Sequence, residues 1–269
     1  MKKIFIGLLI VVLLIVGAGV VTLGRMGYIP WLAALLGADK PRDLGVSWSE
    51  ADLKSGAKKH KVDFEFGTLP ADTPLTESVV YTGEREISST HTSAEITALM
   101  NSQDYAYWPF VDCQFKFNAD GSFESSGKLD KSRIESFANA IAIPSEVGKR
   151  AAQLLPPDPV YYLKGTAVFK DNKITVFDPQ VFEIGRVKLP ISVFLSYVQP
   201  QLIEPAYADS ATDIQSELDK YENKREWIIN YINSRVNAIP GFYAKDWHIE
   251  EDALVFDGTL PESVQTVGE

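Results

Sequence analysis

Residues 110–129 read FVDCQFKFNADGSFESSGKL, and this stretch decides the fold class. Apolar and polar residues alternate from Phe110 to Phe117, the period of a half-buried strand. Asn118-Ala119-Asp120-Gly121 supplies turn residues, and Ser122 to Leu129 returns as a second extended run. The unit predicts an antiparallel hairpin. On this alternation Val111, Cys113, Phe115 and Phe117 share one face.

Two further hairpins are expected towards the C-terminus. Val160 to Lys170 faces Ile174 to Phe177 across Asp171-Asn172-Lys173, and the second strand continues to Val187 past Asp178-Pro179. Phe242 to Ile249 turns at Glu250-Glu251-Asp252 into Ala253 to Gly258. Helical sequence precedes each hairpin. Thr92-Ser93-Ala94-Glu95 is a capping box, in which hydroxyl and carboxylate satisfy orphan backbone donors. Lys131 to Ile141 and Pro144 to Leu155 precede the second hairpin, and a long helix near 213–238 precedes the third. Lys61 to Phe66 alternates strictly, and Ser78 to Ile87 is extended. The expected class is α+β, antiparallel hairpins packed with helices on one face. Phe66-Gly67-Thr68-Leu69-Pro70 and Asp257-Gly258-Thr259-Leu260-Pro261 echo each other, but five residues of this composition do not make a repeat.

Upstream, Met1-Lys2-Lys3 precedes an uncharged run from Ile4 to Gly24. About 20 apolar residues as a helix span the roughly 30 Å hydrocarbon core of a bilayer. A cleaved signal would have an apolar region of about 7–15 residues ending at small residues. Here the run is longer and Gly17-Ala18-Gly19 lies inside it, so an uncleaved transmembrane helix is expected. Positive charge before the span favours a cytoplasmic N-terminus and an extracytoplasmic body. Tyr28 and Trp31 fall where an interfacial aromatic belt would lie, and Tyr28 to Leu36 either follows the membrane surface or docks on the body. The expected division is a cytoplasmic stub 1–3, an anchor 4–24, a juxtamembrane segment 25–55, an extracytoplasmic α+β domain 56–260 and a polar, frayed tail 261–269.

Hydrophobic content of 45%, with 14 Phe, 11 Tyr and 5 Trp, supports a packed core rather than disorder. The net charge of −10 argues against a nucleic-acid partner. The lone cysteine, Cys113, has no intramolecular disulfide partner and reads as a buried core thiol. An exported chain without disulfides points to a bacterial cell envelope.

No catalytic constellation stands out. His60, His91 and His248 lack metal-ligand spacing, and no C-x-x-C, H-E-x-x-H, phosphate loop or dinucleotide fingerprint occurs, so neither metal nor cofactor is expected. His91 stands in Ser88-Ser89-Thr90-His91, where a serine–histidine pair competes with a plain polar connection. Asp178, Asp246 and Asp257 are candidate carboxylates by position alone, since a glycosidase needs two across a cleft. Glu250-Glu251-Asp252 reads as a solvated turn, lacking the ligand spacing of a calcium loop. In the 213–238 helix, Ile214, Leu218, Tyr221, Ile228, Ile229, Ile232 and Val236 form an apolar stripe with Arg225 in its middle. Arg225 either snorkels over the sheet or binds an anionic head group at the mouth of a groove, and it is the one candidate ligand-binding residue.

Gly165 to Ile174 and Ile184-Gly185-Arg186-Val187-Lys188-Leu189-Pro190 resemble the exported domains of bacterial YpmS-like proteins. That resemblance implies a single N-terminal span before an α+β body, and an envelope protein that holds lipid or another amphiphile. It carries no catalytic residues over. The functional expectation is therefore a non-enzymatic, membrane-anchored envelope protein, binding an amphiphile or another envelope protein. The alternative is a membrane-anchored hydrolase using carboxylates in a cleft.

Overall fold

The computed structural model of the chain describes residues 14, 16–141, 145–190 and 224–268. Residues 16–26 are helical. Then follow α1 (Pro30–Leu35), α2 (Glu50–His60), β1 (Asp63–Leu69), β2 (Val79–Thr82), β3 (Arg85–Thr92), α3 (Ser93–Asn101), β4 (Phe110–Phe117) and β5 (Phe123–Leu129). Next come α4 (Ile134–Ala140), α5 (Ser145–Leu154), β6 (Val160–Lys170), β7 (Lys173–Ile184), β8 (Val187–Lys188), α6 (Lys224–Val236), β9 (Tyr243–Glu250), β10 (Ala253–Leu260) and β11 (Ser263–Val267). The class is α+β, with antiparallel sheets and helices.

The three expected hairpins form as β4–β5, β6–β7 and β9–β10. Their turns explain them. Asp171 and Asn172 have φ of 50° and 59°, and Glu251 and Asp252 have φ of 49° and 64°. Two successive left-handed residues give the turn whose twist matches antiparallel strands. Asn172 is fixed further, its Oδ1 accepting from Ala244 N at 2.9 Å and its Nδ2 donating to Asn237 Oδ1 at 2.7 Å.

The larger sheet runs β3-β10-β9-β6-β5-β4, with β7 on β6 and β8 on β7. The long β6 joins two halves, pairing with β5 through Val160–Gly165 and with β9 at Phe169 and Lys170. Where those halves meet, Phe117, Ile249 and Leu254 form a buried cluster with Phe123 and Trp247 against it. Cys113, Tyr161 and Ile184 centre a second cluster, and Ile87, Ala244 and Phe256 a third.

Helix α3 closes the outer edge of β4. Its capping box is formed, Thr92 and Glu95 bonding reciprocally. One turn apart, Ser93 Oγ accepts from Phe117 N at 2.9 Å and Thr97 Oγ1 accepts from Phe115 N at 2.9 Å. Asn101 Oδ1 accepts from Cys113 N at 2.8 Å, and its Nδ2 donates to Cys113 O at 2.7 Å. Polar residues at i, i+4 and i+8 thus replace a neighbouring strand. α6 repeats the device on β7, where Asn233 Oδ1 accepts from Ile174 N at 2.8 Å.

Several expectations are corrected. The run 78–87 is two strands, because Gly83 at φ +67° breaks it and sends β2 and β3 into different sheets. The expected tail does not fray over residues 261–268: β11 lies between β1 and β2, parallel to the first and antiparallel to the second. Buried Val264, Thr266 and Val267 hold it there. Segment 25–55 packs on the body, the docked one of the two readings open for Tyr28 to Leu36, with Leu32, Ala33, Ala38 and Leu44 buried. Its end becomes α2, whose N-terminus carries a second capping box, Ser49 with Asp52. Val111 does not share the face of Cys113. A bulge between Val111 and Gln114, with Asp112 at φ +50°, turns it outward to 43% exposure, while Cys113 stays buried. Of the expected helix 213–238, residues 213–223 lie outside the described residues. Most of the run 4–24 does so too, and among the described residues no helix is long and apolar enough to cross a membrane.

Candidate binding cleft

Residues 39–48 cross the larger sheet as a strap. Arg42 N donates to Ser126 Oγ on β5 at 2.7 Å, and Leu44 N to Gln114 Oε1 on β4 at 2.7 Å. The Arg42 guanidinium lies 4.7 Å from the Tyr162 ring centroid and donates to Glu183 Oε2 from both Nη2 (2.6 Å) and Nε (3.0 Å). This is charge-assisted and forked, the stronger kind of polar contact.

The strap ends at one wall of an open cleft of about 690 Å³, between Val46–Trp48, the end of α3, the start of β4 and the residues after β5. Trp108 and Phe110 are among the residues that line it. Trp108 and Phe110 lie 5.1 Å apart by ring centroid, each packs edge-on against Phe137, and Phe110 reaches Tyr161. Trp108 Nε1 donates to Met100 O at 3.0 Å, which fixes the indole. Trp48 on the strap is 43% exposed, and the bulge at Asp112 delivers Val111 to the same space. Its polar lining includes Gln103, Gln114, Asp112, Asp130 and Arg133. Asp130 is committed: Oδ1 accepts from Ser132 N (3.0 Å) and Ser132 Oγ (2.6 Å), and Oδ2 meets Arg133 Nε at 3.1 Å. Asp112 is solvated and lies 3.9 Å from Lys128 Nζ. Aromatic and apolar side chains beside amides and the carboxylates of two ion pairs give a mixed lining, which suits an amphipathic ligand.

The histidines and carboxylates singled out in the sequence fall elsewhere, whereas Cys113 is among the lining residues. Arg225 is the second residue of α6, its side chain lies outside the described residues, and no described residue of α6 lines the cleft. Ser89 Oγ and His91 Nε2 do meet, at 3.0 Å, on the inward side of β3. Burial dominates there. It presses the His91 imidazole below its ordinary value, Glu95 opposing and Lys59 assisting. His60, at the end of α2, is lowered to about 4 by burial and by nearby His91, against Asp63. Burial also works against the charge on Glu95, but Lys59 Nζ (2.7 Å), Ser55 Oγ (2.5 Å) and Thr92 N (2.9 Å) outweigh it and hold the carboxyl below its usual range. The cluster is a buried joint between α2, β3 and α3 rather than an open nucleophile site. Ser88 points outward.

His248 lies on β9 between Asp246 (3.2 Å) and Glu250 (3.3 Å). Asp246 and Asp257 are cross-strand partners, and Asp178 is on β7; none of the three lines the cleft. Among the described residues no cluster of three His, Cys, Asp or Glu side chains has metal-binding geometry. Cys113 is buried as expected, and burial pushes its thiol up to about 11, with a Tyr161 hydroxyl contact at 3.3 Å opposing. Sequence reasoning passed over Trp48 and Trp108. The available signal was a tryptophan in each of two irregular segments, one polar around Trp48 and one aromatic around Trp108, outside any strand or helix pattern. Comparison with family models, curated proteins and solved structures finds no match to this chain.

Proposed function

We propose that the chain is a membrane-anchored, extracytoplasmic envelope protein that binds an amphiphile in the Trp48–Trp108 cleft without transforming it. The observation that carries this reading is the cleft itself, an open space of about 690 Å³ lined by Trp48, Trp108 and Phe110 together with polar side chains. Its carboxylates argue for binding over hydrolysis: Asp130 is taken up by Ser132 and Arg133, and Asp112 by solvent and Lys128. The anchor rests on the uncharged run Ile4–Gly24 and on Lys2 and Lys3 before it. The same reading extends α6 back to a helix from about Asp213, and includes kinship with the YpmS-like proteins through residues 165–174 and 184–190. Arg225, on α6 and apart from the described cleft lining, stands as a separate candidate for an anionic group.

The test is a photoreactive phenylalanine analogue in place of Trp48, cross-linked in living cells and analysed by intact mass. An adduct of lipid mass is the expected result. A protein-sized adduct replaces the amphiphile by an envelope partner, and no adduct at Trp48 or at a second probe replacing Val111 removes the cleft as a binding site. The hydrolase alternative gains support only if turnover of a captured ligand is lost on Asp112→Asn.

A further inference from the structure

The N-terminal helical residues do not end in a free linker. Arg186 N donates to Arg25 O at 2.7 Å, and Arg186 Nη2 donates to Lys40 O at 2.9 Å. Gly185, at φ +61°, permits this approach, since a Cβ there would lie 2.3 Å from Arg25 O. Gly24 likewise leaves room for Leu32, which a Cβ would meet at 2.4 Å. Tyr28 OH donates to Leu154 O, and Gly27 turns the chain at φ +97° beside Pro156. The helix end, the turn and α1 are therefore one rigid unit with the β7–β8 turn.

That unit has an uncovered apolar side. In α1, Leu32 and Ala33 are buried against the body, whereas Trp31 and Leu35, four residues apart on one face, are 68% and 75% exposed. Leu36 and Leu154 are exposed as well. Residues 16–26 lead into this unit, and there Val16, Val20, Val21 and Leu23 are exposed. At the helix end stand exposed Arg25 and Lys40 and half-buried Arg186, three cations beside the carboxylates of Asp39 and Glu183, on a chain of net charge −10. An apolar face flanked by cations is complementary to the interface of a bilayer with anionic head groups.

Resting on the anchor reading above, we infer that α1 is a foot: Trp31 and Leu35 insert into the interface of the membrane that holds the N-terminal helix, with Arg25 and Lys40 at head-group level. The body then stands on the bilayer in one orientation, set by the Arg25–Arg186 joint.

The full chain is reconstituted in vesicles of phosphatidylcholine with a minor share of phosphatidylglycerol, brominated near the carbonyl end of the acyl chains. Bromine quenching of tryptophan fluorescence is compared between wild type and Trp31→Phe. Quenching is expected to fall clearly in the variant, because Trp31 is the tryptophan placed at the bilayer interface, and any quenching of Trp48 or Trp108 by lipid in the cleft is common to both proteins. As a second readout, Leu35→Cys is expected to resist a membrane-impermeant maleimide until detergent is added, against the buried Cys113 background. Equal quenching in both proteins together with free labelling of Leu35→Cys, in a chain that stays in the membrane at alkaline carbonate, overturns the foot and leaves the anchor. Release of the chain by carbonate overturns both.

Discussion

Gly127 and Cys113 show how tightly single positions are specified in the sheet. A Cβ on Gly127 would lie 2.8 Å from Cys113 Sγ and 3.0 Å from the Tyr161 ring. Neither neighbour has room to retreat, since Tyr161 also holds Ser125 Oγ at 3.1 Å. Gly127→Ala is therefore expected to destabilise by about 1–3 kcal/mol through overpacking. Cys113→Ala alone should cost about 1 kcal/mol in lost packing. Together they should cost less than their sum, because alanine at 113 vacates the space the new methyl needs. Urea denaturation of the four proteins measures this, and strict additivity would refute the contact. Burial and a thiol pushed up to about 11 leave little thiolate at neutral pH. Labelling of native Cys113 should accordingly wait for unfolding, and rapid reaction in the folded state would contradict its place in the core.

Among the elements, α3 is the one whose side chains substitute for a strand. Thr97→Val removes both bonds to Phe115, and Asn101→Leu removes both to Cys113, leaving main-chain groups unpaired at a sheet edge. Each change should cost about 2–3 kcal/mol, because an unsatisfied buried backbone group forfeits its full hydration. Hydrogen exchange at the Phe115 and Cys113 amides should accelerate in step, and the opened edge should promote self-association. Unchanged exchange at those amides would show that the edge is protected otherwise. This pairing also marks what was legible in the sequence. The capping box and the three hairpins were, because turn residues and alternation are local signals. β11 was not: Ser263-Val264-Gln265-Thr266-Val267 has little apolar character, and its partners β1 and β2 lie far back in the chain. α2 was missed because its residues are mostly polar and its burial rests on Gly56 approaching Leu99 and Glu95. The cleft was illegible for the same non-local reason, its walls coming from residues 46–48, 101–114 and 130–133.

At the scale of the whole molecule, α2 docks on the body through groups that acid changes. His60 Nδ1 accepts from Val62 N at 2.9 Å, and its ring meets Phe64 edge-on at 5.6 Å. His91 is 5% exposed, and Glu95 carries the ion pair to Lys59 from the next element. In the unfolded chain both imidazoles titrate near 6.5, whereas in the native state His60 titrates at about 4 and His91 is also lowered. The unfolded chain therefore binds protons that the native state refuses once the pH falls below about 6.5. Stability contributed by the neutral imidazoles is present above that pH and is lost progressively down to about 4. For His60 the loss should be on the order of 1–2 kcal/mol by pH 5. Glu95 acts lower, since its depressed carboxyl contributes above the ordinary carboxylate range and loses that contribution only as the pH falls through its folded value. Denaturation curves at pH 7 and pH 5 for wild type and His60→Gln separate the two groups. Glutamine retains an acceptor for Val62 N but cannot take up a proton, so the variant should lose less stability between those pH values. Equal losses in both proteins would mean that His60 is solvated in the native state, and that the α2 joint is not what acid opens.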